Sequence, residues 1–490
     1  MKRKSKNFNR LAMTLLAVIG IVVLNACANE DAAVAKSACD TAIDTLAPSV
    51  KLEAGTQSGN VTIAADAKVS LKGVYKVPNG STLTIGAGAT ISACQSPFST
   101  IIVERGGTIN ANGTSSKPVV FTSILSAGSR IPQAWGGLVI HGRSAVNASG
   151  SLNYNTDSEI NTGAYGCGDT GFACTGQNNN DNSGTLTYVR VEFAGNEISA
   201  GKEFNGIFMA GVGNGTTMNH IQVHRGSDDG IEIFGGAVDL NNIIISNNQD
   251  DGFDVDEGWR GTARNVAVTV PTDGDQGIEY DGVGSEAARA TNAKLSNFTI
   301  LGTQNKSKEG AISVRASGQM YLANSYIAHF WGDNGVIAVA SNSQSNSSAT
   351  PTTGWGSSFD LALKSTFVEC LYTDSAMATV YSTNDESQLA CTANDPGACA
   401  SRTAFATAFP DSGTSNNVVS NLNCGTAARI ARQSTYSAVS HLKPASNITV
   451  GSFDNPPAAP NGTDLNAPAY VGAFTAADTW ADTWTSFPAN

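Results

Sequence analysis

Apolar residues in this chain come in short alternating runs, each closed by Gly, Asn or Asp. Val61-Thr62-Ile63, Val69-Ser70-Leu71, Leu83-Thr84-Ile85, Ile101-Ile102-Val103 and Val119-Val120-Phe121 are examples. A period of two with a polar partner in between predicts brief strands that bury one face, and no run is periodic enough for a long helix. Between Leu186 and Val339 the pattern becomes a repeat. Asp228-Asp229-Gly230-Ile231-Glu232-Ile233, Asp250-Asp251-Gly252-Phe253-Asp254-Val255 and Asp275-Gln276-Gly277-Ile278-Glu279-Tyr280 share one phase, with their glycines 22 and 25 residues apart. That period predicts a solenoid of stacked strands.

Each unit of the repeat reads as two strands. The first is Ile221-Gln222-Val223, Ile243-Ile244-Ile245, Val266-Ala267-Val268 or Phe298-Thr299-Ile300, and the second is of the Gly-Ile-Glu-Ile kind. The residue just before the first strand is His220, Asn242, Asn265, Asn297 and Asn324 in successive units. This predicts a stacked asparagine ladder with one histidine in it, in which side-chain amides satisfy turn backbone. Asn205-Gly206-Ile207-Phe208-Met209 opens the series, and Glu309-Gly310-Ala311-Ile312 and Asn334-Gly335-Val336-Ile337 continue it with the glycine one place earlier.

The N-terminus has a different pattern. Lys2, Arg3, Lys4, Lys6 and Arg10 precede an apolar run from Leu11 to Val23, which is short for a membrane span and suits a signal peptide. The run ends in Leu24-Asn25-Ala26-Cys27, which resembles the lipobox of bacterial lipoproteins. The resemblance implies cleavage after Ala26, lipidation of Cys27 and, with Ala28 following, the outer membrane of a Gram-negative cell, surface-exposed or facing the periplasm. The expected organisation is a signal peptide over 1–26, a lipidated, flexible tether over 27–50, a solenoid over 51–440 and a C-terminal cap over 441–490. Weakly patterned insertions are expected near 140–185, 340–365 and 384–415.

Without residues 1–26, which hold five bases and no acid, 41 acids face 24 bases, a net of −17, so nucleic acid is excluded as a natural partner. Export agrees with cysteine use, since eight cysteines remain beside Cys27. Spacing makes Cys167 with Cys174 and Cys391 with Cys399 candidate loop disulfides, leaving Cys39, Cys94, Cys370 and Cys424 for longer links. No Cys-x-x-Cys pair points to zinc. His220 and His224, four apart on a strand, would lie about 13 Å from each other.

The chain resembles right-handed parallel β-helices of the pectate-lyase-like superfamily, and bacterial surface lipoproteins of that fold. The resemblance is carried by Gly113-Thr114, Lys117-Pro118-Val119-Val120-Phe121-Thr122-Ser123, Trp135-Gly136-Gly137, the Asp-Asp-Gly units, Tyr470-Val471-Gly472-Ala473-Phe474, Trp480 and Trp484. It covers most of 60–490 and implies an all-β, single right-handed solenoid. It leaves the chemistry open, because such folds carry lyases, hydrolases, adhesins and scaffolds.

Acids supply the chemical signal. From Asp228 to Asp281 there are 13 Asp or Glu against two bases, Arg260 and Arg264. With Ile231 and Ile233 facing the core, Glu232 faces outward, and Asp254 and Glu279 repeat it on the next coils. Carboxylates stacked about 4.8 Å apart repel by roughly 3 kcal/mol at a dielectric near 20, so a counter-charge is expected. Ca²⁺ suits such oxygens, with Asp228, Asp229, Glu232, Asp250, Asp251, Asp254, Asp256 and Glu279 as candidate ligands. The alternative is a solvated acidic face whose Asp-Gly pairs simply make turns. A lyase acting on acidic polysaccharide would need a basic residue beside the cation, and Arg225, Arg260, Lys308 and Arg315 border the cluster. Trp135, Trp259, Trp331 and Trp355 could stack on sugars or pack in the core. No Gly-x-Ser-x-Gly or phosphate-binding glycine loop is present. The sequence therefore points first to a non-catalytic, calcium-dependent surface lipoprotein that binds a glycan, an envelope component or an outer-membrane receptor. A polysaccharide lyase or hydrolase is the alternative.

Overall fold

The computed structural model describes residues 36–146, 162–167, 180–199, 202–282, 291–303, 310–315, 318–330, 361–369, 429–448 and 468–489, together with 152–153, 337–339, 381–382, 399–400, 418–420 and residues 459, 461 and 463. The described strands from Val50 onward wind as a right-handed parallel β-helix. Each coil carries three strands, one more than the sequence pattern shows. One stack contains Ile207–Ala210, Ile231–Phe234, Phe253–Asp256, Gln276–Asp281 and Gly310–Arg315, paired in parallel and in register. The other two stacks are formed by the halves of longer strands such as Thr217–His224, Asp239–Ser246, Thr262–Thr269 and Lys294–Leu301.

The longer strands are bent by the residues of the expected ladder. His220, Asn242, Asn265, Asn297 and Asn324 all take φ between 50° and 58°, and Tyr188 joins them at 51°. Asparagine tolerates this left-handed conformation because its short amide can bond locally. The amides also bond to one another: Asn265 Nδ2 donates to Asn242 Oδ1 at 3.1 Å and Asn242 Nδ2 to Asn219 Oδ1 at 3.2 Å. His220 instead stacks on Tyr188, their rings 4.3 Å apart. The ladder therefore divides two strands of each coil, and this bend is why the third strand is invisible to a period-two reading.

Isoleucine, valine and aromatic columns fill the interior. Ile231, Ile233, Phe253, Val255, Ile278 and Tyr280 are all fully buried. The glycine of each repeat unit serves this packing rather than a tight turn. A Cβ on Gly230 would lie 2.2 Å from Ile245 Cγ2, on Gly252 2.3 Å from Val268 Cγ1, and on Gly277 2.4 Å from Ile300 Cγ2. Each glycine thus lets an apolar side chain of the preceding sheet close against the backbone. Trp135 and Trp259 are also fully buried, their indole N–H groups donating to Glu192 O at 2.9 Å and Val238 O at 3.0 Å. They are core anchors, so the sugar-platform reading fails for both. Trp331 and Trp355 lie outside the described residues.

Two expected boundaries are corrected. The 27–50 tether gives way to a helix, α1 (Ala38–Leu46), whose Cys39 and Ile43 are buried and whose Cys39 is disulfide-bonded to Cys94. The expected end cap is laid along the flank. Gly472 N–H donates to Asn324 O, Asn297 Nδ2 to Tyr470 O, Gln222 Nε2 to Ser486 O and Arg190 Nη1 to Trp484 O. The tail therefore runs back across successive coils as a strap. It seals an apolar strip in which Ile244, Ala267, Leu301, Tyr326 and Phe367 meet Ile430, Tyr436, Leu442, Val471 and Phe474. In the expected insertions, Leu152–Asn153 pairs with Ala164–Tyr165 as a hairpin, whereas Leu361–Lys364 is a strand of the solenoid. Cys167 is disulfide-bonded. Cys27, Cys174 and Cys391 lie outside the described residues, as does the Cys399 side chain.

Candidate functional site

The outward face of the Ile207–Ala210 to Gly310–Arg315 stack changes character from coil to coil. Its central column reads Phe208, Glu232, Asp254, Glu279, Ser313. The next outward column contains Ala210, Phe234 and Asp256, and Asp281 pairs with Arg315 above. Below the acids the same face is apolar, with Ile102, Val139, Phe204, Phe208 and Tyr165 packed together. The acidic face is therefore bounded on one side by a hydrophobic floor and on the other by a cation.

The turn entering this sheet adds a second set of carboxylates. Asp228, Asp229 and Asp250 bring ligand oxygens within 4.8 Å of one another, and Asp229, Glu232 and Asp254 do the same. Asp229 is common to both groups and is buried, as is Asp251, while Glu232 is 9% exposed. Neighbouring groups relieve some of the charge. Asn205 Nδ2 donates to Glu232 Oε2. Arg315 pairs with Glu279, and its Nε and Nη2 reach Asp281 at 2.7 and 2.9 Å. Backbone groups take others: Asp251 N–H donates to Asp229 Oδ1 at 3.1 Å and Gln276 N–H to Asp251 Oδ1 at 2.6 Å.

The eight expected ligands therefore divide. Asp228, Asp229, Glu232, Asp250 and Asp254 converge. Asp251 turns to backbone, Glu279 is held by Arg315, and Asp256 stands one column away with its Oδ1 accepting from Glu257 N–H. Of the expected basic residues, Arg315 is engaged with acids, Arg260 is 7% exposed, and Arg225 sits in a left-handed turn at φ 57°. Lys308 lies outside the described residues. His220 and His224 serve separate contacts, His224 lying 2.8 Å from Ser246 Oγ through Nδ1 and 3.0 Å from Pro488 O through Nε2.

Burial, reinforced by neighbouring charge, pushes Asp254 and Asp256 up to about 7 and holds Asp229 and Glu232 well above the usual carboxylate range. This gives a pH dependence with a definite sign. An unfolded aspartate titrates near 3.8, so as pH falls through 7 the folded chain takes up protons that the unfolded chain does not. In chelator, stability is therefore expected to rise on going from about pH 8 to about pH 6.5, by on the order of 1 kcal/mol, read as a higher melting temperature. Below 6.5 the buried His224, pushed down to about 4 by burial, opposes the gain because only the unfolded imidazole protonates. A melting temperature that falls between the two buffers would contradict this electrostatic picture.

Asn205 escapes a search for acids, yet it occupies the same place before its glycine as Asp229, Asp251 and Gln276 do in later coils. Its phase was the available signal. Glu203, which accepts from Ser227 Oγ at 3.1 Å, and Tyr165, whose hydroxyl donates to Glu257 at 2.9 Å, lie in poorly patterned sequence and carried no such signal.

No curated protein sequence matches the chain. Among solved structures, the Dettilon tailspike protein gp208 is similar, with 12% identity, a TM-score of 0.30, and 68% of this chain and 63% of that one covered. The chain thus spans less than two thirds of that structure. The family model for the pectate-lyase-like beta helix domain matches residues 55–403. The chain belongs to the pectate-lyase-like β-helix family.

Proposed function

We propose that this protein is a non-catalytic, calcium-dependent binding protein for a polysaccharide or envelope component, held at the outer membrane by lipid on Cys27. The observation that carries the reading is the convergence of two carboxylate groups on Asp229. Their all-oxygen character suits Ca²⁺ and offers no nitrogen or sulfur for zinc. Bound calcium would offset much of the cluster's charge and leave coordination positions for oxygens of a glycan. The family supports a polysaccharide as the partner class, and the lipobox resemblance supports the anchor. The engagement of Arg315 with Glu279 and Asp281 weighs against its use as the base of an eliminating enzyme.

The test is thermal unfolding with calcium or chelator, followed by retention on immobilised acidic and neutral polysaccharides. Calcium at 100 times its dissociation constant should stabilise the fold by about 2.7 kcal/mol, and retention should require it. A melting temperature indifferent to calcium would remove the calcium dependence. Release of unsaturated sugars, seen by ultraviolet absorbance, would replace the binding protein with a lyase.

A further inference from the structure

We propose that the segment 162–167 is an acid-released cover on the apolar part of the outward face, with His141 as its trigger. His141 ends the strand Leu138–His141 and pairs in register with Ala210, so it stands in the outward column that continues through Phe234 to Asp256. It is fully buried, and neither Nδ1 nor Nε2 has a hydrogen-bond partner among the described residues. Carbon surrounds it: the Tyr165 ring centre is 5.8 Å away and that of Phe208 6.4 Å, and a Cβ on Gly163 would lie 3.5 Å from Nδ1. A neutral imidazole is tolerated there at a cost. An imidazolium, with a charge and two N–H donors to satisfy, is not.

The neighbouring charges reinforce the exclusion. In the coils below, Lys76 pairs with Glu104 at 3.4 Å, and Arg105 Nη1 donates to Gly166 O at 2.9 Å. Burial, with the charges of Lys76 and Arg105, pushes His141 down to about 3. Arg143, two residues on, is turned to Asn79 Oδ1 at 2.9 Å, and the strand Ile207–Ala210 above brings no titratable group. In the cover, Cys167 is disulfide-bonded and the Tyr165 hydroxyl donates to Glu257 at 2.9 Å. Burial raises Glu257 and Asp256, so their protonation favours the closed segment and opposes His141. The ties of the cover include Gly166 N–H to Gly142 O at 2.9 Å and the pairing of Ala164–Tyr165 with Leu152–Asn153. Lifting it admits water to His141 and uncovers Val139 and Phe208. An open segment restores the ordinary imidazole value of 6.5, so each pH unit below that multiplies the open-to-closed ratio by about ten, until the closed form also binds a proton.

The test is amide hydrogen exchange of the intact protein in chelator, read at Gly166 N–H and corrected for the intrinsic exchange rate at each pH. Chelator keeps the result apart from the calcium reading. Between about pH 6.5 and about pH 5, the open-to-closed ratio should rise about fifteenfold more in the unmodified protein than in His141→Leu, while exchange in Thr262–Thr269 stays slow. Comparison with the variant cancels Glu257, Asp256 and the other acids, which titrate in both. His141→Gln keeps a polar side chain that does not titrate, and it should lose the dependence as leucine does. Melting at about pH 8 shows that each variant is folded. An equal pH response in the unmodified protein and both variants would overturn the proposal. So would an acceleration that spreads into Thr262–Thr269, because proton uptake would then belong to unfolding of the whole solenoid.

Discussion

Replacing Glu369 with alanine is expected to destabilise the protein by about 3–5 kcal/mol and to release the C-terminal strap. Glu369 is fully buried at the end of the strand Phe367–Glu369. Its carboxylate accepts from the Tyr326 hydroxyl, from Arg429 N–H at 2.9 Å and from the Arg429 guanidinium. That guanidinium lies over the Phe367 ring, 4.0 Å from its centre. One side chain thus joins the solenoid wall to the first described residue of the strap. Alanine would leave the buried Tyr326 O–H and the Arg429 backbone N–H without their acceptor beside a cavity, which is why the loss should exceed that of an ordinary surface ion pair. Glu369→Gln keeps the volume and one acceptor and should cost about 1–2 kcal/mol. Urea unfolding supplies the energies, and limited proteolysis reports whether 429–489 becomes cleavable first. A loss under about 1 kcal/mol for alanine, with the strap still protected, would show that the apolar strip alone holds it.

The solenoid was legible because its physics is repetitive. Apolar alternation, a glycine at each close approach and, from Asn242 to Asn324, an asparagine at the bend recur from coil to coil, so a single sequence shows the repeat without help from relatives. The third strand was hidden because Asn242 and its counterparts bend a continuous strand and turn the alternation through a corner. The candidate site was legible only in outline. Acids at repeating positions identify a face, but whether a given carboxylate is available depends on contacts that periodicity does not encode. Asp251 is taken by Gln276 N–H and Glu279 by Arg315, both through partners on the next coil. Asn205 carries no charge, and its hydrogen bond to Glu232 is a contact that only packing reveals. The strap was misplaced for a related reason. Its aromatic residues signal burial, but nothing in them says which surface they cover.

Loss of the Cys39–Cys94 disulfide should have an effect of similar size, and it should be local. The bridge closes a separation of 55 residues, for which the chain-entropy account gives about 4 kcal/mol. Helix α1 has nine residues, short of the length at which isolated helices hold together. Among its other ties are the burial of Ile43 and a pair between Asp40 and Lys72, 2.6 Å apart, whose solvent exposure makes it weak. The alanine and threonine of α1 do not supply the missing stability, so the covalent bond is what turns a weakly patterned segment into a folded end for the solenoid. In a stack where each coil touches mainly its neighbours, an end can fray without unfolding the rest. Cys39→Ala should therefore accelerate amide exchange over 38–46 and in the adjoining strand Lys68–Val77, while exchange in Thr262–Thr269 stays slow. Reduction of the unmodified protein should reproduce that pattern. Unchanged exchange over 38–46 after reduction would mean that Ile43 packing holds the helix without the bond, and uniform acceleration through Thr262–Thr269 would mean that the coils unfold as one cooperative unit.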